Sequence, residues 1–484
     1  MGRVVLVRID DGVRLEIPEH FRERVLDAFT HKNPSRSFKQ RLKIPGWWSE
    51  PEYIRTWKAE PGGGVRLTRG SIGRLRELLT EDVGVTLDEE DARHPGTGPA
   101  LRTTYNRPLW DFQAKAQAVM EEREQGILRA PTGSGKTSVL LSLAAKLGRP
   151  TLVVLPNRPL LDQWADRARA ELDGLGEIGI IGDGKFDLQP LTLGIARSVG
   201  NRLNDPKTAG RLARFFGTVI GDECHLCAAP TFLSCFDPMP ARYRFGASAD
   251  ERRKDGKDFL IRDVFGHVVA DIPRKQLEKE GRVIDVDVRL LPTDFEADWY
   301  GMPDDEKSES PEEALDKQQK QIDFVRLCQE MSMDAGRQRA ALELIAEEAR
   351  AGERVIVWAH EREHCQRMVV ALGRLGIRVG LMIGGDEDRE EFERTHRGLV
   401  DGSISVGVGT YKSIGTGFDL PELTVGVAVT PIAGNRQLLG QVRGRVCRSS
   451  AGKKYARLWL LWDRNVFPTH AANAKKWYGA TIAD

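Results

Sequence analysis

A chain of 484 residues, 40% hydrophobic and 30% charged, has the composition of an ordinary globular protein and the length of about three domains, which excludes a collagenous, coiled-coil or mainly disordered molecule. Its 72 basic and 71 acidic side chains leave a formal charge of +1, so any nucleic-acid surface must be local and balanced elsewhere. Six cysteines in so long a chain do not form a disulfide framework, no apolar run approaches the roughly 18 residues of a membrane span, and a cytoplasmic monomer without a membrane partner is expected.

The opening MGRVVLVRIDDG has no long apolar signal core. Residues 20–76 then hold 13 Lys or Arg against five Asp or Glu, with Phe38, Trp47, Trp48, Tyr53 and Trp57 interleaved. Cations hold phosphates and aromatic rings stack on bases. Lys39, Arg41 and Lys43 are therefore candidate phosphate contacts, and Trp47 and Trp48 candidate stacking residues. The competing reading makes the two tryptophans anchors of a small core. Residues 77–100 carry seven acids against Arg93 alone and end in HPGTGPA, the composition of a linker. A basic nucleic-acid-binding domain of mixed α+β type is expected over 1–98.

From Leu101 onward, short β-branched runs (GILRA, TLVVL, TVIGD) alternate with helical patterns such as SVLLSLAAKL. That alternation predicts βαβ units and a parallel sheet. A second block, with RVIVWAH, SVGVGT, VGVAVT and LWLLW, repeats it. Between them, residues 294–323 contain 11 acids against Lys307, Lys317 and Lys320, which reads as a solvated connector with a helical second half. The expected divisions are one lobe over 99–293, a connector over 294–335 and a second lobe over 336–484.

APTGSGKT, residues 130–137, follows a predicted strand and precedes a predicted helix. In that order Pro131, Thr132, Gly133, Ser134 and Gly135 can cradle phosphates with backbone N–H groups, Lys136 can reach the β- and γ-phosphates, and the Thr137 hydroxyl can hold Mg²⁺. Further on, the apolar run of TVIGDECH delivers two carboxylates at its end. Asp222 is the expected Mg²⁺ ligand and Glu223 the group that orients and deprotonates the attacking water. A zinc reading of Cys224 and Cys227 is disfavoured, because a second complete ligand pair is missing.

These segments resemble motifs I and II of the superfamily 2 helicases of DExH type, and further stretches follow in that family's order. LVVLPNRPLLDQW, TLGIARSV, FGASAD, VIVWAH, VGTYKSIGTGFDLP and QVRGRVCR are similar to its motifs Ia through VI, and LWDFQAKAQ to the adenine-reading Q motif. The pattern leans toward DNA remodellers of the XPB and UvsW kind and is compatible with a phage source, which would put the protein in the host cytoplasm. The resemblance implies two RecA-like parallel-sheet lobes in tandem, ATP and Mg²⁺ as cofactors, and branched, forked or duplex DNA as partner, with RNA the alternative. It further implies Gln113 on adenine, His225 bridging toward motif VI, Gln441 placing Arg445 and Arg448 as arginine fingers, and Gly417 and Asp419 near the nucleotide. Pro156, Asn157, Arg158, Thr192, His360, Thr410 and Lys412 fall where the family contacts the strand. One departure is Asp250, which stands where the family's motif III has Thr, and it bears on strand separation more than on hydrolysis.

Overall fold

The computed structural model describes residues 3–483 apart from 18, 42–46, 82–84, 132, 226–234, 250–255, 301–312, 385–387, 416–419, 433 and 451. Two units divide the chain, residues 1–274 and 275–484. Among the described residues, no helix is long and apolar enough to cross a membrane.

At the start of the first unit, RVVLVRI is a β-branched run whose burial alternates with the period of a strand: Val5, Val7 and Ile9 are buried, and Leu6 and Arg8 are exposed. The strand Arg3–Ile9 pairs antiparallel with Gly12–Leu15 and parallel with Val85–Asp91, and Val65–Thr68 and Trp57–Ala59 complete a five-stranded sheet. Helix Glu19–Ala28 lays Phe21 and Val25 against Phe29, Leu67 and Leu75 in a core of their own. The acidic stretch before the linker is an edge strand of this sheet, with Glu89 on Arg76 and Glu90 on Arg8.

The larger sheet of this unit has eight strands. In spatial order they are Lys185–Phe186, Ile178–Gly182, Leu191–Ile195, Thr151–Leu155, Thr218–Asp222, Tyr243–Ser248, Gln125–Arg129 and Val268–Asp271. All pairs are parallel except the first hairpin. Parallel sheets are covered on both faces, so their strands read as continuous apolar runs, and Thr151–Leu155 is buried at every position. HPGTGPA, expected to be a linker, is strapped onto this layer: the Thr97 and Gly98 amides each donate to the carbonyls of Arg214 and Phe215 at 2.9 Å.

The small sheet is docked on the large one through charge. Arg66 reaches Asp237 at 3.2 Å and Lys58 the same carboxylate at 3.3 Å. Arg69 is fully buried and donates to the carbonyls of Ala241 and Arg242 and to Gln125. Buried Arg244 donates to the carbonyls of Met239 at 2.6 Å and Phe236 at 2.9 Å and lies within reach of that of Asp11; burial holds its guanidinium down at about 10. Hydrogen bonds to charged groups contribute about 1.5–3 kcal/mol each. At Gly70 a Cβ would lie 2.3 Å from the Arg262 carbonyl oxygen, so the backbones touch and only glycine fits.

The second unit contains seven parallel strands in the order Val379–Met382, Val406–Thr410, Val355–Ala359, Val425–Ala428, Ala456–Asp463, Val286–Thr293 and Thr481–Ile482. This corrects the expected boundary at 293, because Val286–Thr293 runs in register with Ala456–Asp463 and buries Val286, Val288 and Leu290 here. Alternation specifies a strand but not the sheet that takes it. At the strand ends a fully buried pair, Arg337 on Asp463 at 2.6 Å, is completed by Thr293 and the Val429 carbonyl. It ties helix Ala335–Arg350 to three strands.

Candidate functional site

The strand Gln125–Arg129 delivers its chain to a loop in which Gly133 and Gly135 adopt φ of 87° and 76°, and helix Lys136–Leu147 begins directly after. The left-handed turns aim consecutive amides at one point in front of a helix N-terminus, a ready anion site. Thr132 lies outside the described residues, and Pro131 stays half-buried beside it. Lys136 folds back, its Nζ donating to the Ala130 carbonyl at 3.0 Å. The Ser134 hydroxyl is fully buried and has no partner among the described residues; an orphaned donor in a phosphate loop fits a nucleotide.

Gln113, expected on adenine, has both ends of its amide engaged by the protein. Its Oε1 accepts from the Trp110 amide at 3.0 Å and its Nε2 donates to the Ser134 carbonyl at 2.9 Å. The side chain is buried and braces the loop from behind, and its Nε2 would be 2.3 Å from a Cβ at position 135.

Strand order brings the carboxylates next to the loop. The strand Tyr243–Ser248 lies between Thr218–Asp222 and Gln125–Arg129, with Asp222 opposite Ala247 and Ser248 opposite Arg129. Asp222 is 3% exposed. Its Oδ2 accepts from the Trp164 indole at 2.8 Å and its Oδ1 from the Glu223 amide at 2.9 Å. Burial pushes this carboxyl up to about 6, the Glu223 charge adding to the rise while Lys136 and the indole oppose it. Glu223 has φ of 52°, a left-handed conformation that costs a non-glycine residue on the order of 1–3 kcal/mol and persists where its surroundings hold it. His225 stands beside the carboxylate: its Nδ1 lies 3.3 Å from that of Glu223 and 3.0 Å from the Ser248 hydroxyl. The resemblance put His225 in contact with motif VI; here it links the carboxylate pair to the segment FGASAD. Asp250 lies outside the described residues.

Thr137 begins the helix beside Lys136 and, with Asp222, provides the hydroxyl and carboxylate that suit a hard cation. Trp164 has no counterpart among the residues singled out from sequence, although the QW ending LVVLPNRPLLDQW marks its helix. Trp164→Phe keeps the ring and removes the N–H that favours the Asp222 carboxylate, so protonation should compete with Mg²⁺ at higher pH. In the unaltered protein, Mg²⁺ affinity should fall on the order of tenfold per unit below about pH 6. In the variant the same fall should begin at higher pH, which calorimetric titration of Mg²⁺ with ADP across pH would detect.

Of the expected strand contacts in this unit, Asn157 caps helix Arg158–Glu171, accepting from the Leu160 amide at 3.1 Å, and Pro156 precedes it half-buried. Arg158 is engaged by Asp162 and Asp183 on the surface. Thr192 is a correction. It is fully buried inside the strand Leu191–Ile195, and its hydroxyl closes a turn on Gln189 at 2.8 Å, so no phosphate reaches it. Trp47 and Trp48 form a short turn, their rings T-shaped at 6.1 Å, and neither is buried. The core reading of the pair is therefore wrong. Lys43 and the side chains of Lys39 and Arg41 lie outside the described residues.

In the second unit, the Thr410 hydroxyl lies 2.8 Å from that of Ser413, which donates to the Met382 carbonyl. Lys412 is exposed beside them, and His360 packs edge-on to Phe324 and against Tyr411. Gly417 and Asp419 lie outside the described residues. Gln441 and Arg445, four apart on helix Arg436–Val446, share a face, and Arg448 follows the helix end. Lys453, not singled out from sequence, clamps this end by donating to the carbonyls of Val446 and Arg448 at 2.6 and 2.7 Å.

A model of the family described as "Type III restriction enzyme, res subunit" matches residues 103–250. The chain is 37% identical over 147 residues to "Probable helicase D10" of Escherichia phage T5, covering 30% of this chain and 31% of that one. It is 26% identical over 429 residues to "DNA 3'-5' helicase XPB" of Kineococcus radiotolerans, covering 86% of this chain and 72% of that one. The solved structure of S. cerevisiae Dbp5 bound to RNA and ADP BeF3 superposes with a TM-score of 0.54 at 14% identity, covering 77% of this chain and 89% of that one, a likeness of fold.

Proposed function

We propose that this chain is a superfamily 2 helicase, an ATP-dependent DNA helicase or translocase that remodels branched or duplex DNA by ATP-driven closure of its two RecA-like lobes. The observation that carries this is the group Asp222, Glu223, His225 and Ser248 beside a phosphate loop with an orphaned Ser134 hydroxyl. Phosphoryl transfer needs positioning and positive charge more than covalent chemistry. Lys136 supplies charge, Glu223 takes the proton from water, and His225 positions the Glu223 carboxylate. Mg²⁺ held through Asp222 and Thr137 would neutralise charge on the phosphates. Gln441 orients Arg445 and Arg448 as the fingers on the transition state. Support for DNA comes from the XPB relative, a DNA helicase by name, which aligns over most of the chain.

The deciding experiment is the ATPase rate with blunt duplex, single strand, fork, four-way junction and RNA in parallel. Strongest stimulation by RNA would make this an RNA helicase. The FGASAD departure at Asp250 favours one further reading, a double-stranded DNA translocase without strand separation, and a strand-displacement assay separates the two.

Lys39, Arg41 and Lys43 are proposed phosphate contacts of the N-terminal module. Changing all three to Ala should flatten the fall of log K with log salt by about 0.9 per lost phosphate contact on duplex DNA. Affinity should weaken for all sequences alike, with ATPase in the absence of DNA unchanged. An unaltered slope in fluorescence-anisotropy titrations would remove the three from the interface.

A further inference from the structure

Most of the basic residues of 20–76 fall into two groups in the folded molecule. Lys58, Arg66 and Arg69 are used in docking the small sheet, and Arg76 is held by Glu89. The other group lies on one excursion, residues 30–55. There the strands Thr30–Lys32 and Tyr53–Arg55 form a ribbon whose tip carries helix Pro34–Arg41 and the turn Trp47–Ser49. In the register, Lys32 pairs with Tyr53 and Thr30 with Arg55. Directly paired residues share a face, so Lys32, Tyr53 and Arg55 stand on one side. His31 stands on the other, stacked on Phe259 at 3.9 Å, while Pro34 rests against Gly256. The underside of the excursion is thereby fixed to Gly256 and Phe259 of the same unit.

The excursion carries exposed rings and exposed cations, with Arg55 lying 5.3 Å over the half-buried Trp57 ring. Trp48 is 65% and Tyr53 50% exposed; the other exposed large aromatic among the described residues, Tyr455, gives its hydroxyl to Glu353. Arg36 lies 5.0 Å over Trp47 and donates to the carbonyls of Trp48 and Glu50, so the tryptophan turn is held in place. Lys32 and Arg55 are exposed and, among the described residues, have no carboxylate partner. Exposed cations beside open rings complement a polyanion with π faces. Inside a duplex those faces are covered by neighbouring bases, whereas a single strand offers them.

We propose that the 30–55 excursion is a stacking platform for unpaired DNA, with Trp48 and Tyr53 taking bases and Lys32 and Arg55 the flanking phosphates. This rests on the helicase reading above and names the part of the substrate that the N-terminal module holds. Because the excursion is fixed to the first lobe, the strand is held by the same body that carries the phosphate loop.

The test titrates the full chain and three variants, Trp48→Ala, Tyr53→Ala and the double change Lys32→Ala with Arg55→Ala, against fluorescent oligo-dT, a fork, a blunt duplex and oligo-U. A base–aromatic stack is worth ~1–3 kcal/mol. Each aromatic variant should therefore lose about fivefold to a hundredfold in affinity for oligo-dT and the fork, keep its affinity for blunt duplex and keep its salt slope. Trp48→Phe should recover most of the loss, which separates stacking from misfolding. The double cation variant should flatten the slope by about 0.7 per phosphate on oligo-dT. Equal weakening on duplex and oligo-dT, or no weakening anywhere, overturns the platform, and binding of oligo-U but not oligo-dT overturns the assignment to DNA. Wild-type ATPase that ignores every nucleic acid would instead overturn the helicase reading, while the binding comparison still judges the platform.

Discussion

Glu223→Gln should leave nucleotide binding in place and lower ATP turnover by about 10²- to 10⁴-fold, the range that a positioned general base contributes. The amide keeps the shape of the carboxylate and can still lie against His225. It cannot accept the proton of the attacking water. A second effect distinguishes this substitution from a loss of fold. The Glu223 charge helps raise the Asp222 carboxyl to about 6, so removing it should lower that value and extend Mg²⁺ binding to more acid solution. Lys136→Ala should instead weaken the nucleotide itself. Single-turnover hydrolysis alongside binding of a fluorescent ATP analogue would check both, and near-normal hydrolysis by either variant would overturn the site.

Arg445→Ala or Arg448→Ala should lower turnover by ~10³-fold or more, since an arginine acting on transition-state charge contributes on that scale. Lys453 pins the backbone at Val446 and Arg448 independently of either side chain, so the local structure should survive. Nucleic-acid affinity should change little. Variants that kept full ATPase and lost only DNA affinity would make this helix a strand-binding element and would remove ATP-driven closure from the proposal.

The phosphate loop and the carboxylate pair were legible in the sequence because each is a contiguous stretch whose chemistry depends on its own backbone. What escaped depends on residues far apart in the chain. Trp164 meets Asp222 across 58 positions, and nothing in LLDQW announces which carboxylate its indole will find. Val286–Thr293 reads as a strand, yet its partner is 170 residues away. Thr192 is expected on nucleic acid because TLGIARSV stands where the family has a strand-contacting motif; the parallel neighbours on both sides bury it. The excess of cations in residues 20–76 pointed to nucleic acid as a whole, but Asp237 and the carbonyls of Ala241 and Arg242 claim part of it. A charge count along the chain cannot show where opposite charge will be folded against it.

The charged dock between the small sheet and the first lobe also constrains how this architecture can be inherited. Arg69 and Arg244, both almost fully buried, satisfy carbonyls contributed by both sides of the dock, and Gly70 accepts the backbone of residues 262–266 where any side chain would collide. A lineage that exchanged the N-terminal sheet for another would leave the Asp237 carboxylate without Arg66 and Lys58, and the carbonyls of Ala241 and Arg242 without the Arg69 guanidinium. The two pieces therefore have to change together. Substitutions at 66, 69 and 70 should be traceable to matching ones at 237, 241–244 and 262–266, as in an obligate heterodimer whose halves share one gene.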